Sequence, residues 1–314
     1  MNLLVSMPGW DIGPWADRLA EYLPGRKIIA AGKPYDPEGV HYAALWNHPP
    51  NSLAGLKNLR VVFSLGAGVD HLFRDPGLPD APIVRVNDAD LRDRMSEYVL
   101  LHVLLYHRQQ RMYDYLQHEK RWEDDPLQPA AKDVRVGVMG LGVLGGDAAR
   151  KLGVVGFDVA GWSRTPKELD GIECFAGAEE LDAFLARTDI LVALLPFTPQ
   201  TKGILNRALF AKLARDGRLG GPYLVNAGRG GLQVEADILA ALEDGTLRGA
   251  TLDVFETEPL PQSSPLWRHP AVTVTPHNSA VSEPGAVARY IAGQIKAYER
   301  GEPLTNVIDR ARMY

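Results

Sequence analysis

From residue 134 the chain reads Val134-Arg135-Val136-Gly137-Val138-Met139-Gly140-Leu141-Gly142-Val143-Leu144-Gly145. An apolar strand runs into Gly140-x-Gly142-x-x-Gly145, and a helical stretch carrying Ala148, Ala149 and Leu152 follows. Few folds accept that order. Gly140 permits a tight turn, Gly142 lets the backbone approach a pyrophosphate, and Gly145 lets the helix lie close on the strand. The helix N-terminus then offers unpaired N–H groups and positive dipole to phosphates, with Val143 and Leu144 in its first turn. Three spaced glycines alone are weak evidence and also describe a plain turn between packed elements. The strand before, the helix after and a second strand near Val159 supply the context that a dinucleotide site requires.

The end of that second strand bears on which dinucleotide. A site for NAD usually carries an acidic residue about 20 positions after the glycines, to bind the ribose 2′-hydroxyl. Here Trp162-Ser163-Arg164-Thr165 stands in that place, with Lys167 close behind. Two hydroxyls and two cations suit a 2′-phosphate that a carboxylate would repel. The expected cofactor is therefore NADPH/NADP, with NADH/NAD possible if Arg164 and Lys167 are merely solvated and Glu168 or Asp170 serves the ribose.

The remainder of the chain continues the same rhythm. Short apolar runs at 3–5, 27–30, 43–46, 61–64 and 83–86 read as buried strands. Segments 15–23 and 53–56 have helical spacing between them. Asn87 or Asp88 could cap a long helix from Leu91 towards Leu116. A polar, proline-containing connection, Trp122-Glu123-Asp124-Asp125-Pro126-Leu127-Gln128-Pro129, comes next. Further strands are expected at 134–139, 159–162, 190–194, 223–225, 250–252 and 272–274, and a last helix at 284–298. Alternating β and α elements imply parallel sheets covered by helices, and 314 residues suffice for about two such units of ~150 residues.

Composition removes other classes. Thirty-four Lys and Arg against thirty-nine Asp and Glu leave a formal charge of −5, with no basic run, which disfavours nucleic acid and anionic membranes as partners. The single cysteine, Cys174, excludes an internal disulfide and thiolate clusters. It has no basic neighbour in sequence and reads as inert. The N-terminus lacks the charged start of a secretory signal. The longest apolar stretch, around 98–106, contains His102 and is shorter than the ~20 residues that cross a bilayer. A cytoplasmic protein with no metal site is expected. The motifs GxSxG, HExxH and GxxxxGK[ST] are absent, so the corresponding hydrolytic and nucleotide-hydrolysing chemistries find no support.

Three polar segments sit where strands give way to loops: Asn226-Ala227-Gly228-Arg229-Gly230, Leu252-Asp253-Val254-Phe255-Glu256-Thr257-Glu258-Pro259, and Val274-Thr275-Pro276-His277-Asn278-Ser279-Ala280. Ligands in open α/β sheets bind beyond the carboxyl ends of strands, so all three could converge on one crevice. Taken singly, Arg229 could be a loop cation, Glu258 a solvated acid and His277 a core histidine.

Together with the glycine motif, these segments resemble the D-isomer-specific 2-hydroxyacid dehydrogenase family, in particular its glyoxylate/hydroxypyruvate reductase A type. The likeness runs from Ala44-Leu45-Trp46-Asn47-His48-Pro49-Pro50 and Leu65-Gly66-Ala67-Gly68-Val69-Asp70 to Asp309-Arg310-Ala311-Arg312-Met313-Tyr314. It implies a two-lobed fold in which a Rossmann dinucleotide-binding domain, 99–281, is inserted into a smaller flavodoxin-like α/β substrate domain, 1–98 with 282–314. The final helix would then rejoin the N-terminal unit.

By the same resemblance, Arg229 binds substrate, His277 is the acid/base and Glu258 is its carboxylate partner. The chemistry is coherent. Reducing a 2-oxo acid needs a hydride at C2 and a proton on the developing alkoxide, and a histidine beside a carboxylate can supply the proton. A guanidinium can hold the carboxylate and polarise the carbonyl. Ala67 and Gly68 match the loop whose backbone N–H groups hold the substrate carboxylate, and Trp46 is a candidate wall or core residue. Leu195 and Pro196 match the lining of the adenosine side. Ala227, Arg229, Asp253, His277 and Ala280 complete the expected cofactor contacts, Asp253 with the alternative of capping a turn. Trp122 falls where some members send an aromatic residue into a neighbouring subunit, although it reads first as a packing residue. The implied reaction is NADPH-dependent reduction of glyoxylate to glycolate and of hydroxypyruvate to D-glycerate by a homodimer. Two alternatives stay open: a dehydrogenase for larger 2-oxo acids such as phenylpyruvate, and a non-catalytic nicotinamide-sensing protein on the same fold.

Overall fold

The computed structural model describes residues 1–126 and 128–313. Leu127, within the 122–129 connection, and Tyr314 lie outside the described residues. In chain order the elements are β1 (Asn2–Ser6), α1 (Gly13–Tyr22), β2 (Ile28–Ala30), β3 (Val40–Leu45), β4 (Val61–Ser64), β5 (Ile83–Arg85), α2 (Ala89–His107), α3 (Gln110–His118), β6 (Arg135–Met139), α4 (Val143–Val155), β7 (Asp158–Ser163), β8 (Glu173–Ala176), α5 (Leu181–Ala186), β9 (Ile190–Ala193), α6 (Arg207–Phe210), β10 (Tyr223–Asn226), α7 (Glu235–Glu243), β11 (Gly249–Leu252), β12 (Val272–Val274) and α8 (Pro284–Glu299). They form two compact units, Met1–Leu91 with Val281–Tyr314, and Arg92–Ala280.

The first unit is a five-stranded parallel sheet in the order β2-β1-β3-β4-β5, which is the flavodoxin-like order. Its strands carry apolar side chains on both faces, as helix-covered parallel strands must. α8 belongs to this unit. Val287, Ala288, Ile291, Ala292 and Ile295 recur at helical spacing and pack with Leu3, Val5, Leu19, Tyr42 and Phe63 in one buried cluster. Glu299, at the helix end, accepts the Tyr42 hydroxyl at 3.0 Å and is paired with Arg26, which fixes α8 to the sheet.

The second unit is a seven-stranded parallel sheet in the order β12-β11-β10-β9-β6-β7-β8. Counted from β6, this is the Rossmann order with one further strand, and it reverses between β6 and β9. Ligands of such sheets bind beside that switch point, and the glycine loop follows β6 there. α4 lies close on the sheet because its inner face is small: Gly145, Gly146, Ala148 and Ala149 are buried along with Leu152. Its C-terminus closes on Gly156 in the left-handed region, a conformation that glycine adopts without strain.

Several local expectations are corrected. The long helix breaks in two at Gln109, which takes φ +52, so α2 stops at His107 and α3 starts at Gln110. Gln109 Nε2 donates to Asp125 at 2.5 Å, an anchor that offsets the ~1 kcal/mol or more of a left-handed non-glycine residue. Segment 53–56 forms turns rather than a helix, since Gly55 takes φ +86, although Leu53 and Leu56 are buried. β8 is an edge strand that the sequence pattern does not reveal. Asp88 rather than Asn87 bonds the start of α2, accepting from the Asp90 amide at 3.3 Å.

α8 is capped by Glu283, whose carboxylate accepts from the amides of Gly285 at 2.9 Å and Ala286 at 2.6 Å. Those amide bonds hold its carboxyl below the ordinary value. A lowered folded pKa means that the stabilisation is complete above the ordinary carboxyl pKa and is lost as pH falls through the folded value. We expect Glu283→Ala to cost about 0.5–1 kcal/mol near pH 7, the low end for a cap because the carboxylate is exposed. In denaturant titrations the gap to wild type narrows below about pH 4; a gap unchanged to about pH 3 rules the cap out.

Candidate active site

The glycine loop is built as its spacing requires. Gly140 takes φ +107, and a Cβ there would lie 2.6 Å from the Leu194 carbonyl oxygen. A Cβ on Gly145 would lie 1.9 Å from the Gly140 oxygen, so only glycine fits either position. Gly142 differs: no atom comes within 4 Å of where its Cβ would be, and it stands exposed before the first turn of α4. No side chain caps that helix and its first turn carries no acid. Val143 is exposed and Leu144 half-buried. The open approach at Gly142, with an uncapped N-terminus behind it, fits a diphosphate.

At the end of β7, Ser163 is buried, and its hydroxyl donates to the Thr165 carbonyl at 2.7 Å. This bond turns the chain so that Arg164, Thr165 and Lys167 stand exposed. After β9, Leu195 is buried and Pro196 exposed, and Pro196 accepts from the Thr201 hydroxyl at 2.7 Å.

Arg229, Glu258 and His277 come together beyond the carboxyl ends of β10, β11 and β12. Glu258 Oε2 lies 2.8 Å from His277 Nδ1, and Oε1 accepts the Phe255 amide at 3.0 Å. Burial would raise the Glu258 carboxyl, but the His277 hydrogen bond and charge, the Phe255 amide and the Arg229 charge outweigh it, leaving it below its ordinary value. An ionised Glu258 makes Nδ1 the donor, so Nε2 is the ring nitrogen turned away from the carboxylate. Both side chains are about one-third exposed, at 33% and 36%, so a proton can be exchanged there.

Asp253 fixes the histidine loop. It is fully buried, and its Oδ1 accepts from Thr275 Oγ1 at 2.6 Å and from the Asn278 amide at 2.9 Å. Oδ2 accepts the Ser279 amide at 2.9 Å, and the Asp253 carbonyl accepts the His277 amide at 2.8 Å. These bonds hold His277 at φ +52, the left-handed region. Since Thr275 donates to Asp253, the Tyr98 hydroxyl donates to Thr275 Oγ1, at 2.7 Å. Burial pushes the Tyr98 phenol up and the adjacent His102 imidazole down, so both stay neutral. Ala280 packs on the same side of the sheet.

Two residues absent from the expected set tie the arginine loop to its neighbour. Asn226 Nδ2 donates to Gln233 Oε1 at 2.8 Å, and Gln233 Nε2 donates to the Val254 carbonyl at 2.9 Å. Asn226 Oδ1 also accepts the Gly228 amide at 3.1 Å. Ala227 is buried beneath the turn, and Arg229 is half-buried, donating to the Gly228 carbonyl at 2.7 Å. The sequence signal for Asn226 is its place at a strand end; Gln233 carries none.

Trp46, Ala67 and Gly68 belong to the first unit. Trp46 is half-buried, and its ring fills the space beside Gly66, with Cζ3 2.7 Å from where a Cβ would be. Among the described residues, the amides of Ala67 and Gly68 meet no hydrogen-bond acceptor. Trp122 is wholly exposed at 103%, which corrects the expectation that it packs within its own subunit. Cys174 is half-buried, its thiol directed at the Ile172 carbonyl. Among the described residues no group of three or more His, Cys, Asp or Glu side chains could hold a metal ion, and no helix is long and apolar enough to cross a membrane.

A fold of this order with a carboxylate–histidine pair beyond its strand ends defines a class of dehydrogenase, and the comparisons agree. The chain belongs to the D-isomer specific 2-hydroxyacid dehydrogenase family, whose NAD-binding domain model matches residues 100–279. It is 44% identical to glyoxylate/hydroxypyruvate reductase A of Serratia proteamaculans, over 98% of each chain. Among solved structures it is similar to an NADPH-dependent glyoxylate/hydroxypyruvate reductase from Sinorhizobium meliloti in complex with NADP and sulfate, with 47% identity, a TM-score of 0.95 and full coverage of both chains. A family member from Xanthobacter autotrophicus Py2 in complex with NADPH and MES is 42% identical, with a TM-score of 0.93 over 100% of this chain and 99% of that one.

The loop makes a clean pair of substitutions. Gly145→Ala forces a Cβ into backbone and should cost about 3 kcal/mol or more. Gly142→Ala meets open space and should unfold within about 1 kcal/mol of wild type in denaturant titrations. Equal stability of the two variants contradicts the loop geometry.

Proposed function

We propose that this chain reduces small 2-oxo acids with NADPH, converting glyoxylate to glycolate and hydroxypyruvate to D-glycerate. The Glu258–His277 pair, with Arg229 acting on the same carboxylate, carries the reading; the relatives named above support the substrate class. The expected domains, 1–98 with 282–314 and 99–281, are assigned to substrate and to dinucleotide respectively; the compact units divide at 91/92 and 280/281 instead.

In the second unit Arg229 is assigned to the substrate carboxylate; in the first unit the Ala67 and Gly68 amides are assigned as carboxylate-binding donors, with Trp46 as the wall beside that loop. The guanidinium also draws electron density from the carbonyl. His277 Nε2 gives its proton to the C2 oxygen as charge builds there. Glu258, ionised and bonded at Nδ1, holds the ring in register and stabilises its protonated form. In the reverse direction neutral His277 takes the proton back.

Gly140, Gly142, Val143, Leu144 and Gly145 would hold the diphosphate. Arg164, Thr165 and Lys167 would hold the 2′-phosphate, with Ser163, whose proton goes to the Thr165 carbonyl, shaping the turn that presents them; Leu195 and Pro196 would line the adenosine, and Ala227, Arg229, Asp253, His277 and Ala280 the nicotinamide end. When bound, NADPH supplies the hydride. Asp253 spends most of its acceptor capacity on the 275–279 loop, so its main service to the reaction is to set His277. A cytoplasmic homodimer is proposed, joined through the α2–α3 region, where Leu101 and Tyr115 are exposed.

The direct test is a panel of 2-oxo acids assayed with each reduced nicotinamide. We expect glyoxylate and hydroxypyruvate to lead the panel and NADPH to be preferred. Arg164→Ala should raise the NADPH KM about tenfold and leave the NADH KM nearly unchanged. His277→Ala should lower kcat about 10²–10⁴-fold while raising the NADPH Kd no more than about threefold, since the contacts assigned to the diphosphate and 2′-phosphate remain. Phenylpyruvate leading the panel supports the larger-substrate reading, and NADPH binding without turnover supports the sensing one. Light scattering should give twice the chain mass, with Tyr115→Glu and Leu101→Glu together yielding monomer; an unchanged dimer places the contact elsewhere.

A further inference from the structure

We propose that His71 and Ser64, neither part of the assignments above, are positioning residues that hold the Gly66–Gly68 loop in the form that receives a carboxylate. The proposal rests on the assignment of the Ala67 and Gly68 amides to the substrate.

Ser64 is the last residue of β4 and is fully buried; His71 is buried at 5% exposure. Between them runs a chain of hydrogen bonds with only one consistent direction. The Asn47 amide can only donate, and it lies 3.2 Å from His71 Nδ1. That nitrogen must therefore be the lone-pair nitrogen, and the ring proton sits on Nε2. Nε2 lies 3.1 Å from Ser64 Oγ, which accepts from it. The serine proton is then committed to the Gly68 carbonyl at 2.8 Å. The same oxygen takes a longer contact, 3.4 Å, from the Gly66 amide.

The consequence lies in what is tied and what is not. The Gly66 N–H and the Gly68 C=O, one at each end of the loop, are fastened to a single buried hydroxyl. The Ala67 and Gly68 N–H groups between them meet no acceptor among the described residues and sit at half-exposed positions. Fixing the Gly68 carbonyl restrains the chain from rotating those amides away, so two donors are preset for an anion at no ordering cost on binding. His71 acts on the other side of the loop as well. It anchors Asn47, which is held at φ +46, and its ring meets the Trp46 indole at a centroid distance of 4.7 Å. Trp46 in turn fills the space beside Gly66. One imidazole thus sets both the donors and the aromatic wall.

The test compares His71→Phe, Ser64→Ala and His71→Gln with wild type. His71→Phe keeps the ring and removes both bonds; His71→Gln keeps one acceptor and one donor. Oxalate, a non-reacting dicarboxylate, is titrated into the NADP-loaded protein, and KM and kcat are measured for glyoxylate. Loss of the tether should raise the oxalate Kd and the glyoxylate KM about tenfold in His71→Phe and Ser64→Ala. kcat should fall less than KM rises, NADPH Kd should stay within about twofold, and His71→Gln should recover part of the loss. Folded variants with wild-type oxalate Kd overturn the proposal, as does an equal loss of NADPH affinity, which would mark a general structural role. Should His71→Phe not fold, Ser64→Ala decides, since it removes one buried oxygen. Wild type that binds oxalate without reducing glyoxylate contradicts the proposed reaction, while the ratio of oxalate affinities still tests the tether. Wild type that binds no oxalate overturns both.

Discussion

A buried carboxylate at the end of β11 decides where the histidine stands. Asp253 accepts a hydroxyl and two amides through its side chain and a third amide through its carbonyl, all from residues 275–279. Without those bonds His277 has no reason to occupy the left-handed region, which costs a non-glycine residue about 1 kcal/mol or more. With them the imidazole is delivered to Glu258 at hydrogen-bond distance. The strain and its compensation lie on adjacent strand ends, His277 after β12 and Asp253 after β11.

The same economy recurs around the second sheet. Parallel strands that end together leave their loops at one edge, and each loop is latched to the next by a side chain rather than by bulk. Gln233 joins the arginine loop to the turn after β11, Asp253 joins that turn to the histidine loop, and Thr275 passes the connection to Tyr98 on α2. Gln233 and Asp253 are buried polar groups with their partners satisfied, and Thr275 is half-buried between two partners; satisfied in this way, such groups rigidify a structure instead of destabilising it. In the first unit, Ser64 and His71 bind the loop after β4 by the same logic.

Much of this was legible in the residues. The glycine spacing, with its flanking strand and helix, announced the dinucleotide loop because backbone contact leaves no other residue type there. The apolar runs announced both sheets because parallel strands are buried on two faces. The spacing of Val287, Ile291 and Ile295 announced the final helix. The misses have physical reasons. Gln109 breaks a helix without glycine or proline because Asp125 anchors it from 16 residues away, and local periodicity holds no trace of such a contact. Leu53 and Leu56 are buried at helical spacing, yet Gly55 turns the chain between them. The bulk of Trp122 suggests packing, but exposure depends on what surrounds it. Gln233, Ser64 and His71 carry no local signal because their significance is relational: each matters for the two groups it joins, and the sequence states neither.

The central claim is that Glu258 and His277 work as one unit in the proposed reaction. A double-mutant cycle on kcat/KM for glyoxylate, with Glu258→Gln, His277→Ala and the double variant, tests it most directly. If the carboxylate acts through the imidazole, Glu258→Gln is costly in wild type and nearly silent once His277 is alanine. Equal losses from Glu258→Gln in both backgrounds would contradict the account.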